Sequence, residues 1–142
     1  MYDDRNFKGR GTVEKKRTPI VLDNDNYVEQ AEKVILKLME NRRILTTSKI
    51  RKLLAMLSDI YVKARRIKTN TLDNAIRVKI QYFKLHTIYE AGREATVRSF
   101  VEEAQLIEQI DKIGSDKSKL ILFCHYMEAL VAYRKYRGGR DE

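Results

Sequence analysis

Proline is absent from Ile20 to Glu142, and between Ile20 and Arg137 the only glycines are Gly92 and Gly114. Strand-rich folds need frequent turns, and glycine and proline punctuate most of them. A segment this long without breakers, with apolar residues at three- and four-residue spacing, predicts helices throughout. The expected fold is all-α: a single-domain bundle of about five helices with short connections, preceded by a basic N-terminal tail. The chain of 142 residues is long enough for one such core.

The punctuation sets the expected helices. Helix one is predicted from Tyr27 to about Asn41, with Asn26 as cap and Glu29 completing a capping box. Helix two starts after Thr46 or Thr47 and runs to about Ile67. Asn70 and Thr71 supply the next start. Helix three runs from Leu72 to about Ala91, with Ile76, Ile80, Phe83 and Ile88 along its apolar side, and Gly92 permits a break. Helix four runs from about Thr96 to Ile113 and stops at Gly114; Ser115 caps helix five, which ends near Arg137. Short connections favour antiparallel neighbours. Helix five is apolar nearly all round from Leu120 to Tyr133, so it is expected at the bundle centre.

Residues 1–25 are expected to form a flexible basic tail, and 26–142 the helical domain. The tail holds Gly9, Gly11, the single proline Pro19 and six cations, without sustained periodicity. No apolar run follows Met1-Tyr2-Asp3-Asp4-Arg5, so no signal peptide is expected, and no stretch suits a membrane span. The lone cysteine, Cys124, forbids an intrachain disulfide and fits a reducing cytoplasm.

The net charge of +9 is unevenly spread. Residues 42–68 hold nine cations against one acid, Asp59, a net +8. Residues 101–116 hold five acids against Lys112, a net −4. Advancing ~100° per residue along helix two puts Ile50, Leu53, Leu54, Leu57, Ile60, Tyr61, Ala64 and Ile67 on one side. Lys52, Lys63 and Arg66 fall opposite, with Asp59 among them; Arg51 and Arg65 lie toward the far flank and Lys49 at the border. The cationic face extends for roughly 30 Å at 1.5 Å per residue. A helix N-terminus with Thr46, Thr47, Ser48 and then Lys49, Arg51 and Lys52 favours an anion. A polyphosphate backbone fits such a face; a solvated surface, or pairing with an acidic partner, also does.

Catalytic constellations are missing from the sequence. One cysteine and two histidines give no CxxC or HExxH pattern, and no GxxxxGK or GxGxxG loop occurs. Cys124 and His125 are adjacent on a helix, so their side chains diverge; His125 and Glu128 are read as a structural pair. No cofactor and no enzymatic activity are expected. The closing group Tyr133, Arg134, Lys135, Tyr136, Arg137 and Arg140 suits packing at a helix end, or stacking on unpaired bases.

Three stretches resemble the small subunit of the type III-A CRISPR effector, the Csm complex: "LTTSKIRKLL" at 45–54, "YFKLHTIYEAGRE" at 82–94 with Val97 and Phe100 beyond it, and "FCHYMEALVAYRKYRGG" at 123–139. The string "YMEALVAY" is the most specific part. The resemblance implies a small all-helical protein, present in several copies and stacked as a filament along a guide RNA and its target RNA. Other subunits of that complex cut target RNA, cut DNA and make cyclic oligoadenylates; the small subunit has no catalytic role. Carried over by position, Lys49 and Arg51 are the matched cations and Arg93 sits at a helix junction as a structural residue. Lys52, Lys63 and Arg66 rest on the charge face alone. Residues 1–25 have no clear match.

The expected function is therefore a non-catalytic subunit of an antiviral ribonucleoprotein that holds RNA through Lys49, Arg51, Lys52, Lys63 and Arg66. Its expected partners are guide RNA, target RNA, the other effector subunits and copies of itself. The competing reading is a helical interaction module whose basic face docks on an acidic subunit. A duplex-DNA reader is disfavoured, because the cationic face offers no Asn or Gln to read bases.

Overall fold

The computed structural model describes residues 17–42 and 44–138. It contains α1 (Tyr27–Glu40), α2 (Thr47–Arg65), α3 (Asn74–Arg93), α4 (Ala95–Ala104), α5 (Leu106–Ile113) and α6 (Lys117–Tyr136). Among the described residues there is no strand, only an isolated bridge between Thr71 and Asp116. The all-helical single-domain expectation holds.

α6 is the central element. It packs against α1, α2 and α5, and buries Leu120, Phe123, Tyr126, Met127 and Leu130. That explains its nearly continuous apolar sequence: three neighbours leave it little wet surface. α3 lies beside α2 and is also covered by α4 and α5. Phe83 of α3 meets Phe123 of α6 edge to face, at 6.2 Å between centroids.

The expected fourth helix is two helices. Gln105 adopts a left-handed conformation (φ 55°, ψ 44°) between α4 and α5. Sequence gives no warning, because glutamine is not a residue that prefers this region. Its side chain supplies the compensation. Gln105 Oε1 accepts from the Ile20 amide at 2.8 Å, and Nε2 donates to the Thr18 carbonyl at 2.9 Å. The Tyr126 hydroxyl donates to the Ala104 carbonyl at 2.9 Å, one of the acceptors freed by the break.

Those bonds hold residues 17–22 as an extended strap. Gln109 donates to the Ile20 carbonyl at 2.7 Å, and Arg17 pairs with Glu103 at 3.1 Å. Ile20 and Leu22 are half-buried against the core. The described part of the expected tail thus lies on the bundle; residues 1–16 lie outside the described residues, as does Arg140 of the C-terminal group.

The helix starts differ from expectation. Asn26 makes no side-chain cap; it bonds instead to Asp23 and Val21 in the turn before α1. Asp73 caps α3 by accepting from the Ile76 amide at 2.9 Å, so Leu72 precedes the helix as a buried anchor. Asp116, not Ser115, caps α6, accepting from the amides of Ser118 and Lys119. The helix breaker between α3 and α4 is Glu94, which is extended (φ −133°, ψ 127°), whereas Gly92 lies inside α3. Gly114 ends α5 as expected, with φ 55° and ψ −122°, a conformation only glycine adopts without strain. On α3, Thr87 is buried through a bond to the Phe83 carbonyl, while Ile88 is exposed.

Candidate nucleic-acid interface

α2 forms because Thr46 caps it: its hydroxyl accepts from the Lys49 amide at 3.4 Å. Ile50, Leu53, Leu57, Ile60 and Ala64 then repeat at helical spacing and are buried. This anchoring turns the cations outward. Arg51, Lys52, Lys63, Arg65, Arg66 and Lys68 are all exposed.

The five expected binding residues do not share one line. Lys49, Lys52 and Lys63 lie on the flank of α2 that faces α3. Lys49 pairs with the carboxylate of Glu94, at the α3–α4 junction. Lys52 lines a cavity of about 310 Å³ with Lys49, His86, Glu90, Arg93 and Glu94. Lys63 pairs with Asp59 at 2.8 Å, one turn earlier. Its ammonium holds the Asp59 carboxyl below the usual carboxylate range, and the charge of Lys79 on α3 acts in the same direction. Arg51 sits ~100° from Lys52 around the helix, on the flank away from α3. Arg65 shares that flank, donating to the Tyr61 hydroxyl at 2.8 Å and lying over its ring. Arg66 closes α2, its amide bonded to the carbonyls of Lys63 and Ala64.

The structure adds a second row of basic side chains. Lys79, His86 and Arg93 follow one another at intervals of seven residues on α3, along the edge beside α2. The seven-residue recurrence is visible in the sequence, but only the pairing of α2 with α3 shows that it extends the same surface. Carboxylates also enter. Glu90 accepts from Arg93 at 3.3 Å and lies 3.9 Å from His86. With Glu94 on Lys49, the N-terminal half of the face is partly neutralised. The excess positive charge sits toward the C-terminal half, at Arg66, Lys68 and Lys79, with Lys63 paired to Asp59. Arg93 is half-exposed above the Tyr89 ring and next to the α3–α4 junction, the placement expected of it.

The closing group is packed only in part: Tyr133 is half-buried, whereas Lys135, Tyr136 and Arg137 are exposed. Arg134 is buried, and its Nε donates to the Leu45 carbonyl at 2.8 Å, just before α2 begins. Burial lowers its pKa from the ordinary arginine value. Arg137 pairs with Glu32 at 3.1 Å. His125 lies between the rings of Tyr27 and Tyr61, 5.9 and 6.0 Å away. Cys124 is buried, and burial, reinforced by the charge of Glu128, pushes its thiol up to about 12, far from a reactive thiolate. Among the described residues no three His, Cys, Asp or Glu side chains are grouped to hold a metal ion. None of the described helices is long and apolar enough to cross a membrane.

Comparison with known proteins agrees with the resemblance read from the sequence. The family model for Csm2 Type III-A matches residues 22–140. The CRISPR system Cms protein Csm2 of Streptococcus thermophilus is 40% identical over 124 residues, covering 85% of this chain and 98% of the relative. The protein of the same name from Mycobacterium tuberculosis (strain CDC 1551 / Oshkosh) is 38% identical over 119 residues, covering 83% and 96%. That of Enterococcus italicus is 40% identical over 98 residues, covering 67% and 70%. With the helical bundle, the α2 sequence and the central α6 all in place, the chain belongs to the Csm2 family, the small subunit of type III-A CRISPR effector complexes.

Proposed function

We propose that this subunit is non-catalytic and stacks in several copies along the guide RNA and its target RNA, gripping the phosphate backbone without reading bases. The observation that carries this reading is the cationic surface of α2, continued by Lys79 and Arg93 on α3. Sequence selection by a guide belongs to base pairing, so a scaffold needs backbone contacts only. The residue set matches that need: α2 has exposed Lys and Arg, and no Asn or Gln along its length. Lys52, Lys63 and Arg66 are the principal contacts, Arg51 reaches from the other flank, and Lys49 contributes once its pairing with Glu94 is exchanged for phosphate.

Docking of the basic face on the acidic α4–α5 region of another copy is the weaker reading. Four of the five acids there already have partners within the chain: Glu102 with Arg98, Glu103 with Arg17, Asp111 with Lys84, and Asp116 as the α6 cap.

The test is Lys52→Glu combined with Lys63→Glu. Both side chains are exposed, so the melting temperature should stay close to that of the parent protein. RNA affinity should fall. For about four phosphate contacts the parent log–log salt slope is about −3 on a single strand, and the variant slope is shallower. An unchanged affinity and slope would refute the assignment.

A further inference from the structure

α3 is apolar on two opposite sides. Its inner row, Ile76, Ile80, Phe83 and Thr87, is buried in the bundle. Its outer row, Val78, Tyr82, Leu85 and Tyr89, is 57%, 63%, 62% and 62% exposed. A helix apolar on both sides is normally covered on both, and four large apolar side chains in one wet row mark a contact surface.

The spacing identifies what covers it. The outer row steps by four, three and four residues, and Ala75 and Gly92 extend it by three at either end. This is the heptad seam by which one helix receives another. A base-stacking surface has no need for Val78 and Leu85 alternating with the tyrosines at that period. Cations border it: Lys79 on one edge and Arg77 on the other, where Lys84 pairs with Asp111 at 2.6 Å. Two such rows face to face would oppose like charges, so the partner helix needs carboxylates beside its apolar row.

This chain carries such a helix. On α1, Val28, Leu36 and Met39 are 45%, 37% and 37% exposed and share one side. Glu29 and Glu40 run along its outer edge, and Glu32, within the row, pairs with Arg137 of its own chain. We infer that the outer row of α3 in one copy packs on the Val28–Met39 side of α1 in a second copy. The inference rests on the proposed reading that several copies share one RNA. The two surfaces are different, so the contact is head to tail and each copy keeps one of each free for the next.

Thiol crosslinking of the full chain tests it. Leu36→Cys, Leu85→Cys and the double variant are treated with a short bis-maleimide, with and without a single-stranded RNA several copies long. Cys124 is buried, and the parent protein serves as its control. The double variant should give a ladder of dimer, trimer and higher species, while each single variant gives none. In the otherwise unchanged double variant, Tyr82→Leu with Tyr89→Leu should keep the ladder, because leucine preserves a helix seam but not a stacking platform. Dimers from Leu85→Cys alone would mean that two α3 rows meet, and would overturn the inference. So would no ladder in either arm, or a ladder lost with the two leucine substitutions. A ladder that persists while RNA affinity is absent would instead sink the RNA reading and leave the contact standing.

Discussion

At the scale of single residues, the carboxylates decide which cations are available. Lys49 matches the family motif, yet Glu94 already holds it. Replacing Glu94 by Ala should therefore release Lys49 to the RNA. Affinity should rise and the single-strand salt slope should steepen by about 0.7, the share of one added phosphate contact; titrations at several salt concentrations measure both, and an unchanged slope would show Lys49 to be structural only. Asp116 is the second decisive carboxylate. Hydrogen bonds from Ser118 and Asn70 lower its pKa from 3.8 to about 2. Because the folded value is depressed, its contribution is present at neutral pH and is lost as pH falls from about 4 to about 2. Asp116→Asn should lower the melting temperature at pH 7 and leave it nearly unchanged at pH 2. Neither role was readable from sequence. The sequence points to Ser115 as the cap, whereas the backbone at Asp116, which bridges to Thr71, makes Asp116 the cap.

At the scale of elements, legibility followed amphipathicity. α2 has one apolar side, so its buried residues and its outward cations both followed from ~100° steps. α3 has two apolar sides, and periodicity alone could not say which faced inward; Ile88 was placed with the core and is exposed. The α4–α5 break was hidden for another reason. Its left-handed residue is a glutamine held by a strap 85 residues away in sequence. Arg134 shows the same long-range dependence. The sequence allows it packing at a helix end or stacking on bases; the fold shows that it ties α6 to the loop before α2. Arg134→Met removes the donor to the Leu45 carbonyl and should cost about 1–3 kcal/mol. Urea unfolding should show this as a lower midpoint at unchanged slope; a midpoint equal to the parent's would remove Arg134 from the account of how α2 is positioned.

At the scale of the molecule, α6 organises the bundle and leaves α2 and α3 side by side at the surface. That pairing converts two separate charge patterns into one surface: Lys52 and Lys63 on α2, Lys79 and Arg93 on α3. It also sets the outer row of α3 next to the cations, so a neighbouring copy and a nucleic acid would meet the same helix along different sides. On the proposed function, this two-helix surface faces the RNA backbone in the assembled effector. Lysine–RNA crosslinking of the intact complex, mapped by mass spectrometry, tests it most directly. Crosslinks at Lys52 and Lys63, with Lys79 beside them, are the predicted result; crosslinks confined to other lysines such as Lys33 and Lys37 of α1, with α2 untouched, would contradict it.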